Sequence, residues 1–180
     1  MKKSYLRVAL AVFASWFLMF SVSEAQSTKQ TNKVSKIKVV REGVGFDGIV
    51  VGKSTMADVT KKFGKNYKLK THKKYSYQMI YPNGISFYAC QSDKRRQIFD
   101  IEMRAPFEAR TSRGIALGTS TLEDIYKIYG KRKKEEGLQY RGVSFFYVRS
   151  RGKNIVTVID IVENSGIRQC EENLPKSKNK

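Results

Sequence analysis

One stretch of the sequence occurs twice, and this duplication is the strongest constraint on the fold. Residues 48–65 read GIVVGKSTMADVTKKFGK and residues 114–131 read GIALGTSTLEDIYKIYGK, at a constant spacing of 66 residues (118 − 52). The glycines, the Ser-Thr pair, the aspartate and the final Gly-Lys recur in register. Self-similarity of this kind indicates an internal repeat, so we expect the chain to fold as two copies of one unit.

Each copy of the stretch predicts a short capped helix. Thr55 precedes Asp58 by three residues, and Thr121 precedes Asp124 by the same interval. This is the spacing of a capping box, in which the hydroxyl accepts one backbone N–H and the carboxylate accepts another. We therefore interpret both aspartates as structural caps rather than catalytic groups. The apolar positions that share one face of the two helices are Met56, Val59 and Phe63, and Leu122, Ile125 and Tyr129. The residues placed for left-handed C-terminal caps are Gly64 and Gly130.

The segments that follow the two helices also match. Residues 81–88 (YPNGISFY) resemble residues 140–147 (YRGVSFFY), and residues 98–101 (IFDI) resemble residues 158–161 (VIDI). The spacing falls to 58 (142 − 84) and 60 (160 − 100), as expected if loops absorb the change in length. Alternating apolar residues and turn signals predict an antiparallel meander of about three or four strands after each helix. We therefore predict an α+β fold with two tandem repeats, at residues 43–106 and 107–167.

This duplicated pattern carries a family resemblance. The pattern resembles the tandem-repeat β-lactamase inhibitory proteins. It consists of Gly, Ser-Thr, Asp, an aliphatic residue, an aromatic residue and Gly, followed by strands. It also resembles the related small lipoproteins of the outer-membrane β-barrel assembly machinery. The resemblance covers residues 48–160 and implies two helix-on-sheet units with their sheets side by side. It further implies a role in binding rather than catalysis.

The two ends of the chain differ in composition from its middle. Residues 1–25 have early lysines and an arginine, then an apolar run, then Ser-Glu-Ala, which is typical of a cleaved signal peptide. Residues 26–42 and 168–180 are basic and polar, and we predict a flexible arm and a tail there. No second apolar run is present, so we expect no transmembrane span in the mature chain and a secreted or periplasmic location.

The net charge favours an anionic partner. The whole sequence carries +19, and removal of the predicted signal peptide, with three cations and one acid, leaves +17. An exported protein this basic is drawn to acidic proteins, anionic glycans or lipid headgroups, whereas export makes nucleic acid an unlikely ligand. The alternative is that the lysines are ordinary solvent-facing residues.

The sequence contains two cysteines, Cys90 and Cys170. In an exported chain the natural prediction is one disulfide between them, with free buried thiols as the alternative.

Motifs for catalysis or cofactor binding are not apparent. His72 is the only histidine, and no second histidine or cysteine pair at ligand spacing supports a metal site. Asp100 and Glu102 share one face of a predicted strand, which would suit a glycosidase, but a solvated strand face is the favoured interpretation. We therefore predict no catalytic residues, no metal and no cofactor.

The best functional candidates are aromatic and basic residues around the sheet. Ile85, Phe87, Val143 and Phe145 should face the helices, so their neighbours in sequence should form a second sheet face. Aromatic residues and cations are typical of interface hot spots. The predicted binding residues are Tyr75, Tyr77, Tyr81, Tyr88, Phe146, Lys73, Lys74, Lys94, Arg95 and Arg96. We expect a non-enzymatic protein-binding module. The alternatives are a basic adhesin or envelope factor that binds anionic glycans or lipids, and an unrecognised hydrolase.

Overall fold

The computed structural model describes residues 37–73, 75–132, 138–163 and Cys170. The predicted signal peptide, most of the predicted arm, Lys74 and the predicted tail apart from Cys170 lie outside these residues. Neither of the two described helices has the length and apolar character of a membrane span.

The described chain is a mixed fold of two short helices and mostly antiparallel strands, as the sequence predicts. The helices are α1 (Met56–Phe63) and α2 (Leu122–Tyr129). The strands, in chain order, are β1 (Lys38–Val40), β2 (Gly45–Phe46), β3 (Ile49–Val50), β4 (Lys68–His72), β5 (Ser76–Ile80), β6 (Ile85–Cys90), β7 (Ile98–Arg104), β8 (Ala109–Thr111), β9 (Gln139–Tyr140), β10 (Val143–Ser150) and β11 (Lys153–Val162).

Seven of these strands form one sheet. Its spatial order is β4-β5-β6-β7-β11-β10-β9, and every neighbouring pair is antiparallel. The four strands after α1 therefore join the three strands after α2 through the β7–β11 pair. In that pair Ile101 lies opposite Ile161, and Glu102 lies opposite Asp160.

Both helices begin where the sequence indicates. In α1 the Thr55 backbone N–H donates to Asp58 Oδ2 at 2.8 Å, and the Asp58 N–H donates to Thr55 Oγ1 at 3.3 Å. The corresponding distances in α2, at Thr121 and Asp124, are 2.8 and 3.2 Å. The backbone hydrogen bond to each carboxylate lowers the pKa of Asp58 and of Asp124.

The helix C-termini differ from the prediction in conformation. Gly64 and Gly130 follow the helices, but their ψ angles of −176° and 154° are extended rather than left-handed helical. Their φ angles of 80° and 88° still require glycine, because a side chain is strained there. The sequence pattern therefore identified the residues but not the geometry.

The hydrophobic core lies between the helices and one face of the sheet. Val59 and Ile125 are fully buried, as are Ile85 and Phe87 on β6 and Val143 on β10. This matches the predicted alternation, in which odd-numbered residues of β6 and β10 face the helices.

The prediction of a flexible arm at residues 26–42 is wrong for the last residues of that range. Lys38–Val40 form β1, which pairs in parallel with β8, and Val40 is fully buried. Glu42 accepts hydrogen bonds from the hydroxyls of Tyr129, at 2.6 Å, and Ser112. Burial opposes ionisation of Glu42, but these bonds outweigh it and hold its pKa below the usual value. The high local content of lysine obscured Val40, whose burial anchors this strand.

Candidate functional site

Six of the predicted binding residues lie at one end of the sheet. Lys73 and Tyr75 flank the turn between β4 and β5, and Tyr77 follows on β5. The loop between β6 and β7 reaches the same end, because the Gln91 side chain donates to the carbonyl of Lys73 at 3.2 Å. We call this group the basic–aromatic patch. Its members are Lys73, Tyr75, Tyr77, Lys94, Arg95 and Arg96.

The loop that carries three of these cations is held by its own hydrogen bonds. Asp93 accepts from the backbone N–H groups of Arg95 and Gln97, at 3.0 and 2.8 Å. The Arg96 carbonyl accepts from the N–H of Met56 at 3.1 Å, which ties the loop to the start of α1. The Arg96 guanidinium lies 4.9 Å from the centre of the Tyr77 ring, at cation–π distance. The loop therefore presents its cations from a fixed backbone.

The charges of the basic–aromatic patch are available to a ligand. Lys73, Lys94, Arg95 and Arg96 are exposed, and none forms an ion pair with another described residue. Tyr75 is 38 % exposed. Lys73 and Arg96 have φ angles of 49° and 52°, a left-handed conformation that is uncommon for long side chains. Strained backbone of this kind often accompanies binding sites.

Three other predicted binding residues lie elsewhere. Tyr81 requires a correction, because it is only 5 % exposed and its hydroxyl donates to the Gly64 carbonyl at 2.9 Å. Its ring packs in the core instead of on the surface. Tyr88 is half-buried on the second sheet face of β6. Phe146 is 55 % exposed and lies on β10, which β7 and β11 separate from β6.

The second sheet face holds an acidic cluster that the sequence did not predict. Glu102 accepts two bonds from Arg104, at 2.8 and 2.9 Å, and one from the Tyr88 hydroxyl at 3.3 Å. Asp160 accepts from Ser144 Oγ at 3.3 Å. The Oδ1 atoms of Asp100 and Asp160 are buried and have no hydrogen-bond partner among the described residues.

The expectation of a solvated strand face is therefore wrong for these residues. Asp160 is only 8 % exposed. Burial first, and the neighbouring Glu102 carboxylate second, raise the pKa of Asp160 to about 7. Burial and the nearby Asp160 raise the pKa of Asp100 well above its usual value. Such a cluster favours bound protons at neutral pH.

The disulfide lies on the same sheet face as this cluster. Cys90 is bonded to Cys170, as predicted, and Cys170 packs with Phe99 and Tyr88 on the second sheet face. The two cysteines are 80 residues apart in sequence, and this spacing alone does not show on which face of the sheet their disulfide lies.

No family model, curated protein or solved structure matches this chain.

Within the described ranges, no three histidine, cysteine, aspartate or glutamate side chains are placed to hold a metal ion. An open cavity of about 570 Å³ beside α1 is lined by Lys53, Lys61 and Lys62 among others. Its carboxylates are already engaged, because Asp58 caps α1 and Asp47 pairs with Lys62 at 3.4 Å.

One exposed element was missed by the sequence analysis. The β10–β11 hairpin carries Tyr147 and Val148 beside Phe146, and they are 41 % and 53 % exposed. Its cations, Arg149, Arg151 and Lys153, are also exposed. The available signal was the loss of alternation in the run FFYV, which leaves apolar side chains on both faces of one strand.

Proposed function

We propose that this protein is an exported, non-enzymatic binding module that holds an acidic protein partner on its basic–aromatic patch. The observation that carries the proposal is the fixed array of exposed cations around Tyr75 and Tyr77. These cations form no ion pair with another described residue, so they can meet carboxylates without first breaking a salt bridge. Tyrosine adds contact area at low entropic cost.

We also propose export through a signal peptide at residues 1–25. Support comes from the composition of that segment and from the Cys90–Cys170 disulfide, which is typical of oxidising compartments. A secreted or periplasmic protein meets envelope proteins and surface polymers before nucleic acid.

We further propose that the chain is an internal duplication, with repeats at residues 43–106 and 107–167. The two capping boxes support it, since their hydrogen bonds agree to about 0.1 Å. The spacing of 60 residues (160 − 100) also fits, because it relates Ile101 to Ile161, and these residues face each other in the sheet. The resemblance to tandem-repeat inhibitory proteins is our reason for favouring a protein partner over a glycan.

A comparison of two charge-matched variants tests the proposed function. One variant reverses two patch cations, Lys73→Glu with Arg96→Glu. The control reverses two exposed cations outside the patch, Arg110→Glu with Arg141→Glu. Both lower the net charge equally, so any purely electrostatic attraction changes to a similar extent.

The readout is quantitative recovery of envelope proteins on immobilised wild type and variants, alongside elution from heparin. We expect the patch variant to lose a protein that the control and the wild type retain. Equal losses from both variants, together with equal shifts in heparin elution, would instead favour a nonspecific envelope factor that binds anionic glycans or lipids.

A further inference from the structure

The β10–β11 hairpin extends beyond its neighbours in the sheet. β9 pairs only with Val143 and Ser144 of β10. β11 pairs with β7 only from Val158 onward. From Phe146 to Ser150, the outer edge of β10 therefore has no strand partner among the described residues. We call this segment the open edge.

Two residues of the open edge direct their backbone groups outward. Phe145 donates its N–H outward to the Leu138 carbonyl at 3.1 Å, so alternation places the groups of Tyr147 and Arg149 on the same side. The hydrogen bonds of β11 lead to the same assignment. Val156, which faces Tyr147, donates its N–H to Ser120 at 2.9 Å and so uses the far side of β11. Tyr147 therefore directs its backbone groups away from β11, to a side where no described strand pairs with it.

The side chains of the open edge are unusual for an unpaired strand. Proteins normally protect such edges with charged residues, as β4 does with Lys68 and Lys70 at the opposite side of this sheet. In β10 the exposed Phe146 and Val148 share one face, whereas Tyr147 lies on the other. The open edge therefore combines apolar surface with backbone groups that pair with no described strand.

Positive charge surrounds the open edge. Residues 143–159 contain three cations, Arg149, Arg151 and Lys153, and no aspartate or glutamate. Arg151 occupies the first position of the hairpin turn with φ of 47°, and Gly152 follows with φ of 79°. Asparagine, aspartate or glycine is the usual residue at that position. An arginine there adds a cation at the tip of the hairpin, although its side chain disfavours the left-handed conformation of that turn position.

We propose that the open edge of β10 binds an extended acidic segment of a partner protein by adding it to the sheet as a further strand. This surface goes beyond the basic–aromatic patch and does not depend on it. Backbone bonds to Tyr147 and Arg149 fix the register of the added strand. Its apolar side chains alternate onto Phe146 and Val148, and its carboxylates lie beside Arg149 and Arg151.

Amide hydrogen exchange on the isotope-labelled protein tests this proposal. The probes are synthetic peptides of about eight residues that alternate valine with glutamate, a typical strand length. The control peptides have the same composition, with valines and glutamates in separate blocks. We expect the alternating peptides to slow exchange of the Tyr147 and Arg149 amides about tenfold. The amides of β4 should be unaffected.

Two substitutions separate backbone pairing from charge. Arg149→Pro removes an outward N–H that β11 does not use, so the hairpin should persist while the protection is lost. Arg149→Gln keeps the N–H and removes only the charge, so it should weaken binding yet preserve protection at saturation. Lys73→Glu with Arg96→Glu in the basic–aromatic patch should leave the peptide effect unchanged.

Several results would overturn the proposal. Unchanged exchange at Tyr147 and Arg149 with every alternating peptide would exclude strand addition, and equal protection by the block peptides would show attraction by charge alone. Protection that grows with protein concentration before peptide is added would identify a second copy as the occupant. Loss of the peptide effect in the patch variant would place binding at the basic–aromatic patch, leaving the proposed function intact.

Discussion

Replacing Asp160 with asparagine should stabilise the protein at about pH 8 and change its stability little at about pH 4. Asp160 is 8 % exposed and faces Glu102 across the β7–β11 pair, and its Oδ1 has no hydrogen-bond partner in the part of the chain that the structure describes. Its ionised form is therefore costly in the folded state. Asparagine retains the acceptor for Ser144 and supplies an N–H in place of the buried, unpaired oxygen.

The size of the effect follows from the pKa of Asp160, which rises from an ordinary 3.8 to about 7 on folding. The folded protein then binds more protons than the unfolded chain between these pH values. The free energy of unfolding therefore falls as pH rises from about 4 to about 7 and is level above that. At about 1.4 kcal/mol for each tenfold change in proton affinity, the loss is about 4 kcal/mol. Asp160→Asn should recover most of it, which corresponds to roughly 10 °C in melting temperature.

Thermal and urea unfolding of wild type and variant across this pH range measure the effect. Asp47→Asn is a suitable control, because Asp47 is half exposed and its ion pair with Lys62 contributes little at any pH. An equal shift of the Asp160 variant at both ends of the range would indicate better packing rather than removal of charge. A loss of stability at about pH 8 would show that the ionised carboxylate is favourable, contrary to our reasoning.

Three further predictions concern single positions. Thr55→Ala and Thr121→Ala should each lower the free energy of unfolding by about 1 kcal/mol in urea titrations, because each removes the side-chain acceptor of a capping box; unchanged midpoints would contradict this. Cys170→Ala should lower the melting temperature under non-reducing conditions, because a disulfide that closes so long a loop contributes about 4 kcal/mol to the free energy of unfolding. Equal melting temperatures of variant and wild type, with two titratable thiols in the wild type, would refute it. Arg151→Asn should raise the free energy of unfolding by about 0.5 kcal/mol, because asparagine suits the left-handed turn position, and a lower value would show that Arg151 stabilises the hairpin.

Local features of this fold were predictable because short-range physics decides them. The spacing of Thr55 and Asp58 specifies where α1 begins, and the alternation of Ile85 and Phe87 specifies which face of β6 meets the core. These patterns act within a few residues, so no knowledge of distant contacts is needed.

Features that depend on distant contacts were not predictable. Asp100 and Glu102 were expected on a solvated strand face, because their local pattern does not show that this face is largely buried in the folded chain. Tyr81 was predicted as a binding residue, because nothing in the sequence shows that its ring packs against Phe63 and Phe87. The basic–aromatic patch was predicted as residue types, but the meeting of its two loops through Gln91 required the three-dimensional structure.

The most direct test of the proposed function is the dissociation rate of the recovered envelope protein from Tyr75→Ala, measured by surface plasmon resonance. Tyr75 is exposed within the patch and carries no charge, so its loss cannot act through electrostatics. We predict that dissociation accelerates about tenfold while association is nearly unchanged, as for an aromatic residue in a desolvated contact. An unchanged dissociation rate, with association reduced equally by charge reversal in the patch and at Arg110 with Arg141, would contradict specific binding at the basic–aromatic patch.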